Sequence, residues 1–392
     1  MLNKVAIYDP YLDTLGGGER YCLTVAEILI KNNYEVHLYW SGNPDIIKKA
    51  EQRFSLNLEN IILEPDVFEI KPQRLYMVES CDGLLNCLAQ NLKKRTQPLL
   101  KVKDFYKKII ETKKYDMFFF LGDGSIPFLF SKKNILHIQV PFETKTNGTQ
   151  KFSNLFKYKF LDTIVCNSQF TASFIDPSFQ DKIKTLYPPV DVNKFSPGPK
   201  ENIILSVGRF DNILNAKKQD ILIDAFSSLI KNFNISNWKL VLAGGSIDDP
   251  SKNSYLQLLK ENSSALPVEF LINPDFNSLK EMYSRSKIYW HAAGFGVDQN
   301  LQPQNTEHFG ISIVEAMASG AVPVVISKGG IPEIVNEGDT GFLWTTTDEL
   351  VLKTVSLINS PDLIEKIKAN SLLACQKFSK ENFENHLLNL IL

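Results

Sequence analysis

Glu307 and Glu315 frame the stretch of this sequence with the most concentrated chemistry. Glu307-His308-Phe309-Gly310-Ile311-Ser312 runs straight into Ile313-Val314-Glu315-Ala316-Met317-Ala318. A helix that starts just after a glycine leaves its first backbone N–H groups without intrahelical partners. Those groups, with the helix dipole, favour an anion such as a diphosphate. Gly310, flanked by Phe309 and Ile311, lets a ligand approach the backbone closely. Glu315, one turn into the helix, can accept hydrogen bonds from ribose hydroxyls, as carboxylates do in other nucleotide sites. Glu307, outside the helix, can reach the hydroxyls of a sugar. Taken singly, each glutamate reads as a surface charge. The composite points to a site for a nucleotide-diphosphate sugar.

Basic partners for such a diphosphate lie upstream, in Ser206-Val207-Gly208-Arg209 and Lys217-Lys218-Gln219-Asp220. A strand end places Arg209 at the carboxyl edge of a sheet, and Lys217 opens the next helix. A basic pair there would neutralise charge as the bond to the sugar breaks. Gly16-Gly17-Gly18 follows the first strand. It lacks the G-x-G-x-x-G spacing of a dinucleotide fingerprint, but offers a flexible backbone that closes on a phosphate or acceptor. His137 ends a strand, where ligands of open α/β sheets bind. His291 carries a weaker signal, and His37, His308 and His386 weaker still. No Asp-x-Asp motif and no zinc-type His/Cys spacing occurs, so neither a metal site nor a cofactor is expected.

These residues need a scaffold, and the chain supplies a repeating one. Val5–Tyr8, Glu35–Trp40, Ile61–Leu63, Met117–Leu121, Ile135–Ile138 and Thr163–Asn167 read as strands, with a helix from Glu19 to Lys31. Tyr187-Pro188-Pro189 and Pro197-Gly198-Pro199 bracket a connector. A second series follows: strands at Ile203–Val207, Lys239–Ala243, Val268–Ile272, Ile288–His291 and Val322–Ile326. Helices at Ile221–Leu229, Leu279–Tyr283, Ile311–Ser319 and Leu350–Ile358 alternate with them. The expected class is α/β, with two doubly wound parallel-sheet domains facing each other across a cleft that holds the site. The domains are 1–195 and 196–377. The amphipathic end, 378–392, is expected to pack back on the first.

The form EHFGISIVEAMASGAVPVV, followed by KGGIPEIV and Gly341, resembles the signature of retaining glycosyltransferase family four, which has the GT-B fold. The extended form WHAAGFGVD…EHFGISIVEAMA resembles a bacterial and archaeal branch and, more distantly, eukaryotic mannosyltransferases that extend lipid-linked oligosaccharides. The first domain matches more loosely, through Gly16-Gly17-Gly18-Glu19, His137 and Asn167-Ser168. The resemblance implies hexose transfer with retention, without metal. It also implies Arg209 and Lys217 on the phosphates, a sugar contact from His137, and donor or acceptor contacts from the glycine loop and Ser168. The implied partners are a GDP- or UDP-linked sugar and a glycan or lipid-linked acceptor. Two rival readings are a phosphorylase-type enzyme on the same fold and a degenerate sugar-binding module.

Bulk properties agree with a soluble globular chain. Of 392 residues, 44% are hydrophobic; 43 are Lys or Arg against 44 Asp or Glu, so no global attraction to nucleic acid is expected. Cys22, Cys81, Cys87, Cys166 and Cys375 form no CxxC pair and read as reduced, mostly buried thiols. The N-terminus reads as a strand and not a secretory signal, and a cytoplasmic location is expected. Residues 91–115 are rich in Lys with interleaved apolar residues. They can pack on the core, or lie on an anionic membrane with help from the basic-aromatic stretch 151–160, which would make the protein peripheral at the inner face.

Overall fold

The computed structural model describes residues 3–68, 106–122, 126–141, 156–211, 216–246 and 253–391. The chain divides into two compact units. The first holds Met1–Gln139, Thr144–Cys166 and Ile175–Lys184; the second holds Val140–Glu143, Asn167–Phe174 and Thr185–Leu392.

The first unit is built on a sheet in the order β3-β2-β1-β4-β5-β6-β7. Its strands are β1 (Lys4–Tyr8), β2 (Glu35–Tyr39), β3 (Ile62–Glu64), β4 (Met117–Leu121), β5 (Lys133–Ile138), β6 (Thr163–Cys166) and β7 (Ile183–Thr185). Strands β1 to β6 pair in parallel. β4 reads Met-Phe-Phe-Phe-Leu and is buried at every position. A continuous apolar run suits a central parallel strand covered on both faces. Helix α1 (Gly17–Lys31) follows β1, and α2 (Ile46–Phe54) follows β2.

The second unit is built on a sheet in the order β10-β9-β8-β11-β12-β13, with every neighbour parallel. The strands are β8 (Glu201–Val207), β9 (Lys239–Gly244), β10 (Val268–Ile272), β11 (Ser286–His291), β12 (Val322–Ile326) and β13 (Phe342–Trp344). Helices in this unit are α3 (Gln169–Ala172), α4 (Gln219–Phe233), α5 (Ser254–Asn262), α6 (Phe276–Arg285), α7 (Ile311–Ala318), α8 (Thr347–Ile358), α9 (Pro361–Ala374) and α10 (Lys380–Ile391). The strand order is that of a doubly wound dinucleotide-type fold, and it reverses between β8 and β11. Ligands of such sheets bind outside the carboxyl ends of the strands at that reversal. Gly208 leaves β8 there, and His291 ends β11 there.

The expected parallel α/β fold is therefore present in both units. β7 and β13 were not anticipated: each is three residues long, too short for a periodic signal. Helices α2, α5 and α9 were also not anticipated. Cys22, Cys166 and Cys375 are buried free thiols; Cys81 and Cys87 lie outside the described residues. Of the Lys-rich stretch 91–115, residues 91–105 lie outside the described residues as well, as do 151–155 of the second basic stretch. Residues 106–112 are helical, and Tyr106 and Ile110 on that helix are both 61% exposed. No described helix is long and apolar enough to cross a membrane.

Candidate active site

In the second unit, β8 ends at Val207 and the chain turns through Gly208-Arg209. Gly208 has a steric task. A Cβ there would sit 2.5 Å from Cγ of Lys217, so only glycine lets the lysine stem cross the strand end. Lys217 precedes α4 rather than opening it, and Lys218 caps that helix in the left-handed region with φ 56°. Gln219, 2% exposed, donates its amide to the carbonyl of Arg209 at 3.0 Å and ties the two ends of the loop together. Arg209 itself is 42% exposed, with its guanidinium 3.5 Å from the Asp211 carboxylate.

Lys217 reaches Glu307: Nζ lies 2.5 Å from Oε2, with the side chains 18% and 15% exposed. The same Oε2 lies 3.2 Å from Nε2 of His291, at the end of β11. Burial works against ionisation of Glu307, but the charge of Lys217 and the bond to His291 outweigh it and hold this carboxyl well below the usual range. Burial lowers His291 further than its bond to Glu307 raises it. The imidazole is thus neutral, and Nε2–H donates to the carboxylate. His291 is 2% exposed and its Nδ1 has no hydrogen-bond partner. Behind Glu307 the backbone is pinned, since Gly330 N–H donates to its carbonyl at 2.9 Å.

Helix α7 begins beside this cluster. Its N-cap, Gly310, has φ +114°, in the left-handed half of the map that side chains disfavour. The chain can then turn sharply from Phe309 into Ile311. Glu315 is part-buried, and one carboxylate oxygen accepts a hydrogen bond from the Tyr283 hydroxyl at 3.1 Å. Phe309, which the sequence puts among the substrate-binding residues, has a ring that is 3% exposed and packs 5.3 Å from Phe378 and 5.7 Å from Tyr187. An apolar ring gains more from that burial than from facing a phosphate.

Ser168 caps α3. Its hydroxyl accepts from Thr171 N–H at 3.0 Å and the residue is fully buried, which commits it to the helix end.

In the first unit, the flexible glycine loop is replaced by a helix start. Gly17 and Gly18 lie in the first turn of α1, and the Glu19 carboxylate accepts from Gly16 N–H at 2.5 Å. A carboxylate three residues in is a favoured partner for a free N–H at a helix start. His137 is the penultimate residue of β5, but it is fully buried and stacked 4.0 Å from Tyr21. Its Nδ1 lies 3.1 Å from the carbonyl of Val165, and its Nε2 lies 3.0 Å from the amide nitrogen of Gln139. Burial lowers its pKa to about 3, so the ring is neutral, donating from Nδ1 and accepting at Nε2. Both nitrogens are thereby occupied within the unit, not offered to a ligand. The same Gln139 amide donates to the carbonyl of Gly18 at 3.3 Å. Gln139, which the sequence did not single out, joins the glycines to His137.

The second unit thus brings together Lys217, Glu307, the start of α7 and, through the fold around β8, Arg209. Glu315 lies on the same helix as the α7 start. His291, Tyr283 and Gln219 complete the arrangement. A position at the end of a strand was the available signal for His291; nothing local marked Tyr283.

A family description, Glycosyl transferases group 1, matches residues 190–372. The chain is 26% identical over 441 residues to the GDP-Man:Man(3)GlcNAc(2)-PP-Dol alpha-1,2-mannosyltransferase of Xenopus laevis, covering 98% of this chain and 86% of that relative. A solved glycosyltransferase from Rickettsia africae superposes with a TM-score of 0.72 at 17% identity, covering 99% of this chain and 97% of that one. Anabaena HepE in complex with UDP and glucose superposes at 0.66 and 18% identity, covering 99% of both chains. The protein is a glycosyltransferase of GT-B fold. The residues that match the group 1 glycosyl transferase family all lie in its second unit.

Proposed function

We propose that the protein transfers a hexose, mannose in the first instance, from a nucleotide-diphosphate sugar to a glycan or lipid-linked acceptor, with retention and without a metal ion. The observation that carries this reading is the Lys217–Glu307–His291 cluster beside the free N-terminus of α7, at the strand reversal. Residues 196–377 would bind the donor and residues 1–195 the acceptor.

In this reading the backbone N–H groups at Gly310 and Ile311, with Lys217 and Arg209, stabilise the departing diphosphate. Fixed cations and a helix start supply the charge that a divalent ion supplies elsewhere. Glu307, held ionised by Lys217, accepts from hexose hydroxyls, and Glu315 accepts from the ribose. No second carboxylate is assigned to a double displacement. The acceptor attacks on the face the leaving group departs from, and a phosphate oxygen takes its proton. Gly16, Gly17 and Gly18 act through the backbone at the start of α1, and His137 acts through Gln139. Mannose and GDP are favoured by the GDP-mannose named for the Xenopus relative; the HepE complex keeps UDP as the competing nucleotide. We further propose peripheral binding to an anionic membrane. Exposed Tyr106, Ile110 and Phe156 lie among Lys107, Lys157 and Lys159 in the first unit.

The test is turnover with GDP-mannose, UDP-glucose and UDP-N-acetylglucosamine, each with a prenyl-diphosphate-linked oligosaccharide. Product anomers are read by NMR, with and without EDTA. Transfer from GDP-mannose with an α-linked product, unchanged by EDTA, is expected. A β-linked product or loss of activity with EDTA would overturn the mechanism. Turnover only with mannose 1-phosphate would favour the phosphorylase reading.

A further inference from the structure

Glu315 is a flexible side chain on the outer turn of α7, and a carboxylate must face the ribose squarely to accept two hydroxyls. The strongest candidate for what aims it is Tyr283, on the neighbouring helix α6. Tyr283 is fully buried, and its hydroxyl donates to Oε2 of Glu315 at 3.1 Å. Its ring is held on two sides. Phe195 meets it edge-on at 5.6 Å and 88°, and Tyr289 stacks at 6.0 Å and 28°. Tyr289 is itself fully buried on β11 and donates its hydroxyl to the carbonyl of Val207 at 3.4 Å. Val207 is the last residue of β8, immediately before Gly208-Arg209. At the C-terminal ends of α6 and α7 stands Lys200. Its Nζ donates to the carbonyls of Ser286 and Ser319, the residues that follow the two helices, at 2.8 and 2.7 Å. The helices on both sides of the Tyr283–Glu315 hydrogen bond are therefore fastened together.

We propose that Tyr283 is a positioning residue for nucleotide binding: its buried hydroxyl fixes the Glu315 carboxylate in the orientation that accepts the ribose hydroxyls of the donor. The inference rests on the assignment of Glu315 to the ribose. Burial, then the charge of Glu315, keeps the phenol far above its ordinary pKa. It is a permanent donor to that Glu315 oxygen. A carboxylate has about four acceptor sites, so one donated hydroxyl leaves capacity for ribose hydroxyls. A phenylalanine at 283 would keep the ring and its packing while removing the hydrogen bond that orients this oxygen.

The experiment compares wild type, Tyr283→Phe and Glu315→Gln by calorimetric titration of GDP and of 2′,3′-dideoxy-GDP, or of the UDP pair if the wild type takes UDP. Thermal unfolding of each variant checks that it folds. Tyr283→Phe should weaken the ordinary nucleotide by about tenfold. It should leave the dideoxy nucleotide unchanged within about twofold. A loss equal for both nucleotides, or no loss for either, overturns the inference. Glu315→Gln separates the two levels. If Glu315→Gln discriminates between the nucleotides and Tyr283→Phe does not, Tyr283 is only structural and the ribose assignment stands. If Glu315→Gln does not discriminate either, the ribose assignment itself fails.

Discussion

Lys217 Nζ sits 2.5 Å from Glu307 Oε2, although ninety positions of sequence separate the two residues. The contact joins the loop after β8 to the loop before α7, on the two sides of the strand reversal. It also means that the lysine assigned to the diphosphate and the carboxylate assigned to the hexose share one electrostatic unit. Changing either must alter the other.

Replacing Lys217 by Ala removes a cation aimed at the leaving group and leaves Glu307 without its counter-charge. Loss of one preorganised charge at a developing anion costs roughly 100- to 1000-fold in rate. We expect kcat/KM to fall on that scale, and Lys217→Arg to recover part of it. Steady-state kinetics with a nucleotide sugar reads both.

Glu307 also links pH to stability. Its folded-state pKa is depressed, so its contribution to stability is present above the ordinary carboxylate pKa of about 4.3 and is lost as pH falls through the folded value. Urea unfolding of wild type and Glu307→Gln should differ at neutral pH and converge on acidification. A gap independent of pH would show that the Lys217 contact contributes little.

His291 holds the second hydrogen bond to Glu307 and is kept neutral by burial. Any step that His291 adds to the pH profile of kcat/KM should therefore fall below the ordinary imidazole value of about 6.5. His291→Ala should lower kcat/KM by about tenfold through a loosened carboxylate. Above about pH 6.5, profiles of wild type and His291→Ala with the same shape and different height are the expected result.

Lys200 makes stability rise with pH as Glu307 does, but in a higher window. Burial, with the charge of Lys368 adding and Glu365 opposing, lowers its pKa to about 7. The unfolded chain then holds more protons than the folded one from about pH 7 up to about 10.4, so stability rises with pH across that window. The slope approaches about 1.4 kcal/mol per pH unit at most. Urea unfolding of wild type at pH 7 to 9 should gain on Lys200→Met as pH rises.

The parallel α/β architecture was legible because long apolar strands alternate with amphipathic helices. Glu307 and Glu315, before and within α7, and the basic pair near β8 were legible because each lies near a glycine-marked end of an element. What was not legible is pairing. His291 is Glu307's partner because β11 lies next to β8 and β12, and strand order is a tertiary fact. Tyr283 meets Glu315 only because α6 and α7 come side by side, and Gln139 joins His137 to Gly18 across 121 positions. The packing of the Phe309 ring against Tyr187 and Phe378 was likewise not legible, because those partners are far away in sequence.

The most direct measurement is calorimetric titration of GDP, and separately UDP, into wild type and Lys217→Ala. The account predicts that one nucleotide binds the wild type and that Lys217→Ala binds it at least about tenfold more weakly. Equal affinity in the two proteins would contradict the placement of the donor diphosphate at Lys217.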